Sequence, residues 1–192
     1  RSNGKKINVK IRLKGDMLDN LAGEKWSFRI VTRGNKTFKG MKQFSLHHPK
    51  ARNYVYEWLF HKVARREGII ALRYDFFSVT LNGKSLGIYA LEEHFEKRLI
   101  EHNEHREGPI VRFDEELLFR NFDRGGEGQS EIETYLTAPV DAFQTGKLLR
   151  DPVLKAQHDK AISLLEAFRR RDLAPHKIFD AQKLATFAAI LD

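Results

Sequence analysis

A chain of 192 residues that is 41% hydrophobic and 11% aromatic is long enough to bury a sizeable core as one large domain or two small lobes, and its composition excludes disorder over most of its length. It contains no cysteine, which excludes disulfides and thiolate metal sites without fixing a compartment. The net charge of +8 is uneven: residues 1–67 hold 17 Lys/Arg against 5 Asp/Glu, and residues 68–192 hold 17 against 21. An anionic ligand near the start of the chain is one reading of this asymmetry, and a solvated basic face is the other. No apolar run approaches the roughly 18 residues that a membrane-spanning helix needs. The chain opens on Arg1 with no signal-peptide pattern, as a processed or excised fragment would.

Residues 7–13 alternate apolar and polar, predicting a half-buried strand with Asn8, Lys10 and Arg12 on its outer face. A loop containing Lys14-Gly15-Asp16 follows, and a second strand is expected over Lys25–Val31, with Trp26, Phe28 and Ile30 inward. Arg33-Gly34-Asn35 is a turn, and Phe38–Leu46 reads as a further short strand. Residues 52–67 predict a helix with Val55, Trp58, Leu59 and Val63 as its apolar stripe, Glu57 beside the stripe and Gly68 as the stop. Phe76–Glu96 organises the chain: Phe77, Val79 and Leu81 alternate with Ser78 and Thr80, and Asn82-Gly83 supplies a type I′ hairpin turn. A short charged helix is expected over Glu96–His105 and a strand over Gly108–Phe113. Residues 122–130 read as a flexible glycine-bearing loop, and helices follow at Val140–Leu149, Pro152–Arg170 and about Asp180–Asp192. The boundary falls near Glu92–His105, dividing a basic, β-rich lobe (1–93, with helix 52–67) from a mainly helical one (94–192). Such a division forms a cleft, and clefts hold ligands.

Several motifs compete for the chemistry. Gly125, Gly126 and Gly128 could cradle phosphate, but no strong strand leads into them, and a loop is the simpler reading. His102 and His105 share a helix face near Glu101 and Glu104 without completing a metal cluster. Gly83-Lys84-Ser85-Leu86-Gly87 has the form of a nucleophile elbow, yet it sits in a hairpin turn and lacks the strand-to-helix context. Trp26 and Phe28 fall opposite the cations, so core packing explains them better than base stacking does. More specific is the order of strand, loop, second strand entered by Lys25, helix with Glu57, and strand ending at Glu93. It is the order of a protein-kinase-like N-lobe, in which a helix carboxylate orients a lysine toward nucleotide phosphates.

The stretches Arg12-x-Lys14-Gly15, Lys25-Trp26-Ser27-Phe28-Arg29-Ile30 and Ala64-Arg65-Arg66-Glu67-Gly68 resemble the spore coat protein H (CotH) kinase family. The most distinctive match is Asn82-Gly83-x-x-x-Gly87-x-Tyr89-x-x-x-Glu93, and Ile178–Leu191 is similar to the segment preceding the family's catalytic region. The resemblance implies an α+β, protein-kinase-like fold: a mostly antiparallel β N-lobe with one helix, then a mostly helical, incomplete second lobe. It also implies an atypical kinase that uses ATP with Mg²⁺ or Mn²⁺ and transfers the γ-phosphate to Ser or Thr of a protein. By position, Arg12, Lys14 and Gly15 match the nucleotide-covering loop, Lys25 the phosphate-contacting lysine, Glu57 its helix partner, and Glu93 the interlobe segment. Lys14-Gly15-Asp16 stands where the family carries Gly-Asn-Ser-Ser. The family's metal-binding aspartates are expected beyond Asp192, so neither catalytic nor metal residues are assigned and the fragment is expected to be inactive alone. The resemblance also implies an exported or cell- or spore-surface location. The alternatives are a non-catalytic coat-assembly or binding module of the same fold and a nucleic-acid-binding domain, and nucleic acid is not the expected partner.

Overall fold

The computed structural model describes residues 4, 6–14, 25–114 and 136–191. Its α+β architecture agrees with the expected class. One compact unit comprises residues up to His105 together with the chain end from Ile190, and the other comprises Arg106–Ala189. Among the described residues no helix is long and apolar enough to cross a membrane.

The first unit is built on a five-stranded antiparallel sheet. In chain order its elements are β1 (Val9–Leu13), β2 (Phe28–Thr32), β3 (Gln43–His47), α1 (Tyr56–Arg66), β4 (Tyr74–Leu81), β5 (Lys84–Glu93) and α2 (Lys97–His102). The strands lie in the order β1-β2-β3-β5-β4. The β4–β5 hairpin forms as its sequence demands, with Asn82 and Gly83 at φ 50° and 82°. Register shifts between Val79 and Thr80, leaving Leu86 unpaired, and Gly87 at φ 74° absorbs the bulge.

Period-two alternation gives the sheet two unlike faces. Ile30, Phe44 and Leu91 pack with Met41 into the core, joined by Val9, Phe28, Leu46 and Phe77. The same face carries a groove of about 430 Å³. The other face carries α1, whose His61 ring lies 5.8 Å from that of Tyr74 on β4. Asn103, just after α2, ties down the segment leading into β4: its amide oxygen accepts from Ala71 N–H and its amide nitrogen donates to Ala71 C=O, both at 3.2 Å.

Several sequence expectations need correction. β1 is an edge strand, and Ile11 and Leu13 remain half-exposed although the alternation is as expected. β2 begins only at Phe28, so Trp26 lies outside the ladder and is 48% exposed, while Ser27 is buried and accepts a backbone bond from Lys14. Phe38 and Met41 close a small bridged loop, and the following strand starts at Gln43. The helix expected from residue 52 begins at Tyr56, because Pro49–Arg52 forms a 3₁₀ turn and Asn53 and Tyr54 take left-handed conformations that reverse the chain. Its buried residues are His61 and Ala64, while Val55 and Leu59 of the expected stripe face outward.

In the second unit β6 (Val111–Phe113) pairs antiparallel with β7 (Val140–Ala142). The sequence pattern places Val140–Ala142 at the start of a helix. Pairing with β6 overrides that periodicity, and only the short α3 (Thr145–Leu148) is helical. The long α4 (Pro152–Arg169) starts where Asp151 accepts hydrogen bonds from Val153 and Leu154 N–H. Arg169 donates to Ala138 C=O and pairs with Glu166. The last helix is α5 (Ala181–Leu191). The glycine-bearing stretch 122–130 lies outside the described residues.

Candidate anion-binding site

Antiparallel register places directly opposed residues on one face, and a single row of partners crosses the whole sheet: Arg12, Arg29, Ser45, Glu92 and Tyr74. Because Tyr74 stacks on His61 of α1, this row lies on the α1 face. Lys14, just past β1, reaches the same face and donates from Nζ to Glu92 Oε2 at 2.7 Å. The result is a polar floor with a helix at one side.

Glu92 is the hub. It is 13% exposed, and burial alone would raise its carboxyl. The Lys14 ammonium and its hydrogen bond, with His47 and Arg52 behind them, instead bring it below the ordinary carboxylate value. His47 Nδ1 lies 3.6 Å from the same Oε2, and its Nε2 lies 3.1 Å from the Tyr74 hydroxyl. A neutral ring with its proton on Nδ1 suits both neighbours, since that N–H faces the carboxylate while the Tyr74 O–H donates to Nε2. Burial, then Lys14 and Arg52, lower His47 to about 4 against the pull of Glu92 and Glu57. Burial together with the surrounding anions raises the Tyr74 phenol.

Two further contacts complete the face. Arg29 Nη1 donates to His94 Nδ1 at 3.0 Å. Burial, then Arg29 and more distant Lys14 and Arg12, lower His94 to about 4, so the ring is a neutral acceptor near pH 7. On α1, Glu57 Oε1 approaches His61 Nε2 at 3.3 Å, one turn apart. The ring nitrogen makes no hydrogen bond of good geometry, and the contact is a close polar approach. This approach of His61, followed by Arg52, outweighs burial and lowers the Glu57 carboxyl.

The expected site residues separate. Arg12, Lys14 and Glu57 all belong to the α1 face. Gly15 lies outside the described residues. Lys25 does not meet Glu57: its ammonium lies 3.4 Å from Ile88 C=O and 5.8 Å from the Tyr89 ring centroid, over a residue whose side chain points away from the Ala90 and Glu92 face. The register-based Lys25–Glu57 pair is therefore not formed, because the chain joins the β2 ladder only at Phe28, three residues after Lys25. Glu93 is wholly buried and is held by the Arg73 guanidinium and backbone N–H. Its neighbour Glu92 turns to the α1 face instead.

Sequence reasoning missed Arg29, His47, His61, Tyr74 and Glu92 as members of one cluster. The parity of β5 held part of the signal, since Ala90 and Glu92 must oppose Tyr89 and Leu91. Among the described residues no group of three or more His, Asp or Glu side chains converges as a metal site would require. Ser85 sits in the hairpin, where its hydroxyl is 3.4 Å from Gly87 N–H, without the strand-to-helix turn of a nucleophile elbow.

No curated protein matches the chain. The sequence pattern described as CotH kinase protein matches residues 11–135, a span that contains the five-stranded sheet from Ile11 onward, α1 and the polar face. With more than half its length matched, the chain belongs to the CotH kinase protein family.

Proposed function

We propose that the chain is the nucleotide-binding part of an atypical protein kinase, and that the α1 face of its sheet receives the phosphates of ATP. The observation that carries this reading is charge. Arg12 and Arg29 stand directly opposite each other across β1 and β2, with Lys14 beside them. Like charges in register destabilise a sheet unless an anion lies between them. Together with Arg52, these cations act on this face against the carboxylates of Glu57 and Glu92. A polyphosphate suits that surplus, and guanidinium forks match phosphate oxygens in pairs.

When bound, ATP supplies the γ-phosphoryl group, and a Ser or Thr hydroxyl of a protein is the proposed acceptor. The residues of the α1 face bind and neutralise charge: Arg12 and Arg29 flank the phosphates, Lys14 reaches toward them, and Glu92 fixes where the lysine starts. The described residues present no metal cluster, so Mg²⁺ or Mn²⁺ is not assigned to any of them.

Thermal unfolding in rising ATP tests the reading. A ligand that binds only the folded state stabilises it by about 2.7 kcal/mol at 100 times its Kd. Wild type and a Lys25→Ala variant are expected to gain similar stability, and Arg12→Gln and Lys14→Met much less. Equal gains in all four proteins, or loss in Lys25→Ala alone, would refute the site.

A further inference from the structure

The carboxylate of Glu92 has two suitors for one oxygen. Lys14 Nζ holds Oε2 at 2.7 Å, and His47 Nδ1 waits 3.6 Å from the same atom, buried and without a hydrogen bond of its own. A lysine that turns toward a phosphate must loosen its grip on Glu92, which is itself mostly buried. A buried carboxylate left without its cation is costly, and the least expensive remedy is a proton on the nearest base.

We propose that His47 is a positioning residue that replaces Lys14 as the cationic partner of Glu92 when Lys14 engages an anionic phosphate, so that phosphate binding takes up a proton at His47 Nε2. The inference rests on the phosphate reading above. The balance is simple: one proton leaves solvent for the imidazole, no covalent bond to phosphorus changes, and the imidazolium holds Glu92 through Nδ1–H. The Tyr74 oxygen, 3.1 Å from Nε2, then accepts from the new N–H instead of donating to the bare nitrogen, and the ring can keep its position.

The groups acting on His47 make the exchange directional. From the end of β1 comes Lys14, from the 3₁₀ turn Arg52, from β5 Glu92, from α1 Glu57, with His61 of α1 across the Tyr74 ring, and from β4 Tyr74 itself. Lys14 and Arg52 oppose a charge on His47, while Glu92 and Glu57 favour it. Moving Lys14 away removes one opposing cation and uncovers one favouring anion at once, and a phosphate brings further negative charge. All three changes act in one direction.

Histidine-resolved NMR of the 192-residue chain reads the ring charge directly, with ATP as the probe near pH 6. In the free protein His47 is expected neutral, and at saturating ATP protonated. The Lys14→Met variant is expected to protonate His47 with no ATP present, and Glu92→Gln to keep it neutral under both conditions. If ATP saturates the protein, seen as shifts elsewhere on the α1 face, while His47 stays neutral, the exchange is overturned and the phosphate site survives. If ATP moves no resonance on that face, the phosphate site falls and the exchange with it. A neutral His47 in folded Lys14→Met also overturns the exchange.

Discussion

Replacing Glu93 by Ala should unfold the first unit's sheet more readily and should do so through Arg73. The carboxylate is 0% exposed and the Arg73 side chain 15%. Arg73 gives Glu93 its backbone N–H at 2.9 Å, Nε at 3.0 Å and one terminal nitrogen. Its other terminal nitrogen donates to Lys39 C=O at 2.9 Å, joining the loop before β3 to the start of β4. Removing the carboxylate leaves a mostly buried guanidinium uncompensated, at a cost of about 3–5 kcal/mol. Urea unfolding followed by tryptophan fluorescence is a suitable assay, because both tryptophans, Trp26 and Trp58, belong to this unit. With a slope of roughly 1–3 kcal/mol per molar urea, the midpoint should fall by about 1 M or more. The decisive comparison is the double variant Arg73→Met/Glu93→Leu, which removes both charges and fills the space with apolar atoms. It should be less destabilised than either Arg73→Met or Glu93→Leu alone. Single variants within about 1 kcal/mol of wild type, or a double variant that costs the sum of the singles, would refute the pairing as a structural clamp.

Two other outcomes follow from the same unit. His47 titrates near 4 in the folded protein and near 6.5 when unfolded, so the unfolded state binds the proton more readily. Its contribution is therefore fully present above about pH 6.5 and is lost as pH falls toward 4, by about 3 kcal/mol at the acid limit. A His47→Gln variant should show a flatter stability profile across that window in the same urea assay, and an unchanged slope would refute the assignment. Gly40 has φ 80°, and a Cβ there would lie 2.5 Å from Arg73 Nη1, a group pinned by Glu93 and Lys39 and so unable to swing aside. Gly34 has φ 61° with nothing within 4 Å. Gly40→Ala should therefore cost at least about 1 kcal/mol more than Gly34→Ala, and equal midpoint shifts would show that the guanidinium is free.

The parts of the fold that were legible are those written in local chemistry. Asn82-Gly83 specified the hairpin because few other residues tolerate two successive positive φ angles. Pro152 opens α4 as expected, since proline has no N–H to waste in the first turn, and the structure adds Asp151 as the cap that satisfies the neighbouring N–H groups. Val140–Ala142 misled because three residues carry too little periodicity to distinguish a strand from a helix, and a partner 27 residues or more away decided the matter. The α1 stripe misled for a related reason. Val55 and Leu59 are apolar, but the surface they would face is the polar row of the sheet, and His61 with Ala64 fits there instead.

The candidate site divides in the same way. By itself the sequence determined the surplus of cations in the first third, the alternation that puts Arg12 and Lys10 on one side of β1, and the family, carried mainly by the Asn82–Glu93 motif. Only the tertiary structure decided which cations meet which carboxylates. Glu92 and Glu93 are adjacent and chemically alike, yet one strand step sends the first to Lys14 and His47 and the second to Arg73. Lys25 and Lys14 carry the same side chain, but β2 begins three residues after Lys25, and β1 delivers Lys14 to the α1 face. Charge and period are properties of a segment, whereas ion pairing requires two segments in register, and that register is set by the packing of the whole sheet.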